Sequence, residues 1–339
     1  MKKISVIIPC YNATKWLPKC FLSLTEQTMG IEDLELIFVD DASDDQGKTW
    51  EMLLLFEQAY PDSVIVIHLD ENRKQGGARN EGISYASGEY LSFVDADDWV
   101  KPELYETVYR RAKECDADIV QFNHCLYTER TGVFDSPKDM EEAFYEIGDC
   151  DSRKKFLLSE KITYGCWNKI YRRQLIRDTN VQYAEHVVYE EPLFVYPLLY
   201  YGTRFAVLSD HLYVYRQNDL GTMRQNMKQK ETLMDHAYVQ YEVWKFMKQT
   251  VFFQTYYEEL KLYFLHTYFY ETLYFAKLRE MEISMEQYHR LEEIVLNEVP
   301  DLTQSVYEMM IPRQMELYRL AKNGMTKKAL LQLMDSLIS

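Results

Sequence analysis

Short apolar runs alternate with segments of helical spacing over the first 122 residues, and this alternation constrains the fold most strongly. The apolar runs are 4–8, 34–39, 64–69, 90–94 and 119–122. The helical segments between them are 14–28, 46–60, 78–86 and 102–115. Strands separated by helices predict a mainly parallel sheet covered on both faces by helices. We therefore expect an α/β fold that binds its ligand beyond the carboxyl ends of the strands.

Polar residues follow three of these predicted strands. They are residues 9–12, residues 40–43 and the acidic group Asp95, Asp97 and Asp98. Carboxylates this close repel one another unless a cation shares them, and carboxylate oxygens suit Mg²⁺ or Mn²⁺, which also bind phosphate oxygens. The pattern predicts a metal-bridged phosphate ester in one crevice. The alternative is an acidic turn that caps the following helix.

A glycine-rich segment lies between the third and fourth predicted strands. Gly76 and Gly77 precede a predicted helix, and Arg79 falls in its first turn. Helix N-termini attract anions, and an arginine there can reach a phosphate or a base. The segment is interpreted as the second half of a nucleotide site, or else as an ordinary glycine-rich connection.

Composition and missing motifs exclude several classes of protein. No GxGxxG follows the first strand and no P-loop occurs, which argues against a dinucleotide-binding dehydrogenase. The net charge of -16 argues against a nucleic-acid partner. Six cysteines without a CxxC pair are typical of reduced thiols, and no apolar stretch approaches the length of a signal peptide or membrane span. We expect a cytoplasmic protein.

The ordered motifs resemble the family-2 inverting glycosyltransferases of bacterial polysaccharide and cell-surface glycan synthesis, which have the GT-A fold. The resemblance rests on residues 5–12, 38–43, 76–82 and 88–98 and covers roughly residues 1–220. It implies transfer of a sugar from a nucleotide sugar, expected to be a UDP-sugar, to a glycan or lipid-linked acceptor with inversion. It also implies dependence on Mn²⁺ or Mg²⁺.

The resemblance assigns donor-binding roles to residues of these motifs. Pro9, Tyr11 and Asp41 would hold the base and ribose of the nucleotide. Arg79 would contact the nucleotide, and Asp95 would lie at the ribose or the donor sugar.

The same resemblance implies a metal site built on Asp97, the second acid of the DXD motif. This carboxylate would ligate the ion that bridges the diphosphate, and Arg216 would lie near that diphosphate. Many relatives carry a histidine shortly after this arginine, whereas Gln217 and Asn218 occupy the region here, which leaves a third protein ligand open. The alternative for Arg216 is a solvated side chain.

An acceptor side is implied by two further segments. Trp167, Asn168 and Lys169 match a Trp-Asn-Lys segment, and Glu190 and Glu191 stand where relatives carry Glu-Asp. Because the family's Asp is the catalytic base, Glu191 inherits that role, with a side chain one methylene longer. Glu190 is assigned to the acceptor side. The alternatives are an acidic pair in the first turn of a helix and a core tryptophan.

The composition changes after about residue 222. We divide the chain into a glycosyltransferase domain, 1–222, with a donor half of about 1–100 and an acceptor half of about 101–222, and a helical subdomain, 223–339. Aromatic residues recur at spacings of three and four over 238–274, which is typical of amphipathic helices. Such a stripe is interpreted as core, or as a surface for an acceptor lipid, for peripheral contact with the inner face of the membrane, or for a homodimer.

Three other function classes share parts of this pattern. A nucleotidyltransferase also has acidic metal ligands but needs a basic, glycine-rich signature after its first strand, which is absent. A phosphohydrolase with an aspartyl nucleophile also places DxD at a strand end, but typically with Thr or Val next, where this chain has Asp98 and Trp99. A non-catalytic sugar-binding module would keep the crevice without Glu191.

Overall fold

The computed structural model describes residues 2–136, 140–217 and 230–337. The chain divides into two compact units, Met1–Asp219 and Leu220–Ser339. The domain boundary predicted at residues 222 and 223 lies outside the described residues.

In the described part of the first unit, ten strands form a single sheet in the order β3-β2-β1-β4-β9-β6-β10-β5, with β7 paired to β6 and β8 to β10. The strands are β1 (Ile4–Cys10), β2 (Leu34–Asp40), β3 (Val64–His68), β4 (Tyr90–Phe93), β5 (Trp99–Val100), β6 (Ile119–Thr128), β7 (Val133–Asp135), β8 (Ala143–Glu146), β9 (Lys169–Arg172) and β10 (Arg204–Gln217).

Seven α-helices accompany this sheet in the described residues of the unit. They are α1 (Leu17–Thr25), α2 (Lys48–Ala59), α3 (Lys74–Tyr85), α4 (Leu104–Cys115), α5 (Cys150–Leu158), α6 (Arg173–Thr179) and α7 (Glu191–Tyr201). The first four match the four predicted helical segments, although α3 begins four residues earlier than expected.

The predicted parallel arrangement is confirmed for β1 to β4, and the five predicted strands all exist. The complete sheet is mixed, because β9 runs antiparallel between β4 and β6. Every residue of β1 and β2 is buried, as expected for parallel strands covered on both faces. This burial explains why both strands are continuous apolar runs.

A close contact fixes α3 against the sheet. A Cβ on Gly82 would lie 2.5 Å from the Ile7 Cγ2 atom, so a glycine is needed where this helix crosses β1. The N-terminal end of α3 is thereby held beside the loop that follows β2, where the Arg73 N–H donates to the Asp41 carboxylate (2.7 Å). The helix thus brings its first turn to the edge where β1, β2 and β4 end.

The second unit is helical, as predicted. Its described helices are Lys230–Lys248, Tyr257–Phe264, a π-helix at Leu265–Glu271, Thr272–Leu278, Met285–Glu298, Gln304–Met309, Pro312–Asn323 and Lys327–Ser336. Much of the aromatic stripe is core: Trp244 is buried and stacks on Phe264 with ring centroids 4.8 Å apart. Among the described residues, none of these helices has the length and apolar character that crossing a membrane requires.

Candidate functional site

The loops after β1 and β2 are joined at the carboxyl edge of the sheet. The Asp41 N–H donates to the Cys10 carbonyl (2.8 Å), and the Asn12 N–H donates to the Ser43 hydroxyl (2.9 Å). The Ser43 hydroxyl donates in turn to Asp40 (2.5 Å), whose other oxygen lies 2.8 Å from His68 Nδ1. Asp40 therefore stabilises the conformation of the loop that follows β2, a role that the motif alone does not reveal.

Three of the predicted donor-binding residues lie at this edge. Pro9 is buried in β1, whereas Tyr11 exposes 47% of its surface. Asp41 is buried, and this burial raises the pKa of its carboxyl to about 6, opposed by the hydrogen bond from the Arg73 N–H. A buried carboxylate at this edge of the sheet is suited to accept a directional hydrogen bond from a ligand.

The glycine-rich start of α3 is the docking point for the segment that leads into α7. A Cβ on Gly76 would lie only 2.0 Å from the Ala184 carbonyl oxygen, so no larger residue fits there. Two hydrogen bonds fasten the same contact, from the Tyr183 N–H to Asn80 Oδ1 (2.8 Å) and from the His186 N–H to the Arg73 carbonyl (3.0 Å). The motif thus brings residues 183–190 against the donor half of the sheet.

Arg79 lies at the centre of this contact. Its side chain is 1% exposed; Nη2 donates to Asp95 Oδ1 (2.8 Å) and Nη1 donates to Glu190 Oε1. The guanidinium carbon also lies 5.4 Å from the centre of the Tyr183 ring. One buried cation therefore ties the carboxylate after β4 to the residue that precedes α7. The predicted contact of Arg79 with a nucleotide stays a prediction.

Glu190 and Glu191 begin α7, as the acidic-pair interpretation expects. Glu190 is the buried N-cap, and Glu191, the first helical residue, is half-buried. Burial and the neighbouring charge of Glu190 raise the pKa of Glu191 to about 8, whereas Arg79 opposes the shift. A carboxyl with this pKa is suited to accept a proton near neutral pH.

The three acids after β4 have different surroundings. Asp95 pairs with Arg79, and Asp98 is buried, where it accepts hydrogen bonds from the Tyr213 hydroxyl and the Arg216 N–H (both 2.6 Å). Burial and the charges of the other two acids raise the pKa of Asp98. Asp97 is half-buried. Asp98 is therefore structural, and the acidic turn is more than a helix cap.

Asp97 is the residue on which a site for a divalent cation depends. Among the described residues, no three His, Cys, Asp or Glu side chains converge on one point where an ion could be bound. Mg²⁺ is commonly held by one or two carboxylates together with substrate phosphates and water, so a single half-buried carboxylate at this edge fits such an ion. Asn218, in the region where many relatives carry a histidine, lies outside the described residues.

The predicted acceptor-side residues have mixed environments. Trp167 is half-buried and packs on Tyr213, with ring centroids 4.8 Å apart. Asn168 is buried and donates to the Phe122 carbonyl (3.3 Å). Lys169 is fully buried, donates to Gly165 O (2.5 Å) and to Asn168 Oδ1 (2.7 Å), and has a pKa lowered to about 7 by burial. In this structure Asn168 and Lys169 bind other parts of the protein.

Arg216 is not a solvated side chain, so that alternative is wrong. It is 9% exposed, and its Nε donates to the Asp97 carbonyl (2.6 Å). Its guanidinium carbon lies 4.8 Å from the centre of the Trp99 ring. The arginine is therefore held directly beside the residue expected to bind the metal.

Comparisons with known proteins find sequence relatives of this chain. The family model described as Glycosyl transferase family 2 matches residues 5–179. The chain is 29% identical over 235 residues to the glycosyltransferase GlyG of Streptococcus pneumoniae, and the match covers 65% of this chain and 73% of GlyG. It is 32% identical over 224 residues to YibD of Escherichia coli, an uncharacterized glycosyltransferase, and the match covers 66% of this chain and 63% of YibD.

The fold is similar to that of a solved structure. The crystal structure of Staphylococcus aureus TarS 1-349 in complex with UDP aligns with a TM-score of 0.73 at 21% identity, covering 98% of this chain and 89% of the other. At this level of identity the similarity concerns the fold.

Proposed function

Because the chain belongs to Glycosyl transferase family 2, we propose that it transfers a sugar from a UDP-sugar to a hydroxyl of a glycan or lipid-linked acceptor with inversion. The observation that carries this proposal is the buried Arg79 bridge, which joins Asp95 after β4 to Glu190, the neighbour of Glu191. It sets a candidate base beside the candidate donor site. Family membership leaves the nucleotidyltransferase and phosphohydrolase alternatives without support.

The donor half is proposed to bind the nucleotide at the edge shared by β1, β2 and β4. The exposed ring of Tyr11 offers a surface for the base, and the buried Asp41 carboxylate offers an acceptor for a donor N–H or O–H. Asp95, oriented by Arg79, would accept from a hydroxyl of the ribose or the sugar. The UDP complex of TarS supports uridine as the base, since that protein has a similar fold.

Asp97 would hold Mn²⁺ or Mg²⁺ at this edge, and the ion, when bound, offsets the negative charge of the diphosphate. Arg216 would add a second positive charge, because its guanidinium is fastened to the Asp97 carbonyl. Charge on the leaving nucleoside diphosphate grows as the glycosidic bond breaks. These groups would therefore stabilise the transition state more than the bound donor.

Glu191 is proposed as the general base. It would remove the proton from the acceptor hydroxyl as that oxygen attacks the anomeric carbon on the face opposite the diphosphate. The burial that raises its pKa to about 8 makes its carboxylate a stronger base than an exposed glutamate. Trp167 is half-buried and would contribute its ring to the packing of an acceptor sugar.

The experiment that tests this proposal is the pH dependence of transfer, with the donor identified by screening nucleotide sugars for thermal stabilisation. Since Glu191 accepts a proton only when ionised, turnover should rise as the pH increases and level off above the Glu191 pKa of about 8. The slope below pH 8 should approach tenfold per pH unit for one ionisation.

The Glu191→Gln variant is the control, because Lys169, with a pKa of about 7, titrates in the same range. The residual turnover of Glu191→Gln should not depend on pH between 6.5 and 8.5. If the turnover of this variant rises with pH as that of the wild type does, the ionisation belongs to another group. Glu191 would then lose its support as the base.

A further inference from the structure

Two cations meet on one aromatic side chain next to the donor edge. The Lys19 ammonium, on α1, lies 3.3 Å from the centre of the Trp99 ring, and the Arg216 guanidinium carbon lies 4.8 Å from the same centre. Both cations are also within 6 Å of the Tyr127 ring, at 5.4 and 5.7 Å. Trp99 is the second residue after Asp97, so this cation pair adjoins the candidate metal site.

The pair is poorly neutralised by protein carboxylates. Throughout residues 2–136, 140–217 and 230–337, no carboxylate oxygen lies within 4.0 Å of the Lys19 ammonium, although the chain has 54 acidic and 38 basic residues. Among the described residues, the Arg216 guanidinium has one carboxylate within 4.0 Å, that of Glu129 at 3.8 Å, whose Oε1 is 3.0 Å from the exposed Lys15. Burial and the charge of Arg216 lower the pKa of Lys19, as expected when a like charge lies nearby.

We propose that Lys19 and Arg216, supported on Trp99, form a binding site for a phosphate group of a substrate. The proposal rests on the proposed function and adds Lys19 as a binding residue of that site. An aromatic face binds an ammonium group without neutralising its charge, so Lys19 can still donate a hydrogen bond to an anion. A phosphate would accept from both cations and relieve their mutual repulsion.

Two substrate groups could supply this phosphate. One is the diphosphate of the donor, because the Arg216 side chain is fastened to Asp97. The other is a phosphate on the acceptor, because Lys19 is exposed and an acceptor must approach the same edge. The ligand chemistry is the same in both cases, and the binding experiment separates them.

The test is calorimetric titration of the full chain with UDP, uridine and inorganic phosphate in Mg²⁺. Lys19→Met should weaken binding of a phosphate-bearing ligand about tenfold, in the range of a charged hydrogen bond, and leave uridine unchanged. Lys19→Arg should retain most of the affinity. Weaker UDP binding identifies the donor diphosphate; weaker binding of inorganic phosphate with unchanged UDP identifies an acceptor phosphate.

Lys113→Met is the matched control, since Lys113 is an exposed lysine on α4 that pairs with Glu89 at 2.6 Å. Removing it changes the net charge equally and should leave all three affinities unchanged. The proposal is overturned if Lys19→Met binds both UDP and phosphate within twofold of wild type, or if Lys113→Met weakens them as much. If the wild-type chain binds phosphate through Lys19 but binds neither UDP nor uridine, the proposed uridine donor is contradicted. The proposed phosphate site would stand.

Discussion

Replacing Glu191 with glutamine is expected to lower the rate of sugar transfer by about 10²- to 10⁴-fold, the usual contribution of a general base. Glutamine is nearly isosteric with glutamate but cannot accept the acceptor's proton. Glu191 begins α7 and is half-buried, so the substitution should preserve the fold. Donor affinity should change little, because the base acts on the acceptor. Single-turnover kinetics together with calorimetric donor titration measure the two effects separately.

The Glu191→Asp variant is the control for this result. Glu191→Asp restores the residue that relatives carry and should keep measurable turnover, reduced by the shorter reach, because misplacing a reacting group by about 1 Å can cost on the order of a hundredfold. Near wild-type turnover in Glu191→Gln, with chemistry shown to be rate-limiting, would refute the assignment. Glu190 would then become the candidate base.

Arg79→Met is expected to destabilise the first unit by about 3–5 kcal/mol, the usual result of removing one partner from a buried ion pair. The substitution leaves two carboxylates uncompensated, that of Glu190, 3% exposed, and that of Asp95, 16% exposed. Urea unfolding followed by tryptophan fluorescence measures the loss, because four of the five tryptophans lie in this unit. Sugar transfer should fall as well, since neither acid keeps its orientation.

The matched control is Arg172→Met. Arg172 also bridges two acids, Asp116 at 2.6 Å and Asp118 at 3.1 Å, but its side chain is 23% exposed and water screens the interaction. Its loss should cost much less than that of Arg79. Equal destabilisation by both variants would contradict the bridging role of Arg79.

The donor half of the fold is predictable from the sequence because each of its strands is a short, continuous apolar run. Residues 4–8 and 34–39 are buried on both faces in a parallel sheet, and no other element of that length suits them. β9 is not predictable in this way. It has four residues, begins with Lys169 and includes Arg172, so its apolar signal is too weak to reveal the antiparallel insertion between β4 and β6.

The candidate site is predictable only in part. The motifs identify which residue types gather at the sheet edge, because parallel strands end on the same side. They do not tell which of the three acids after β4 is buried, since that depends on Tyr213 and Arg216 more than 100 residues later. The pairing of Arg79 with Glu190 also joins residues 111 positions apart. Such contacts are set by tertiary packing and leave no local pattern.

Calorimetric titration with UDP, in Mn²⁺ and in chelator, tests the central claim that this crevice binds a nucleotide sugar through a metal held by Asp97. Wild-type protein is predicted to bind UDP more tightly in Mn²⁺, because an ion held by this carboxylate would offset the charge of the diphosphate. Asp97→Ala is predicted to remove that gain while keeping the melting temperature, since Asp97 is half-buried at the sheet edge. Equal UDP affinity of the wild-type protein with Mn²⁺ and with chelator would contradict the account.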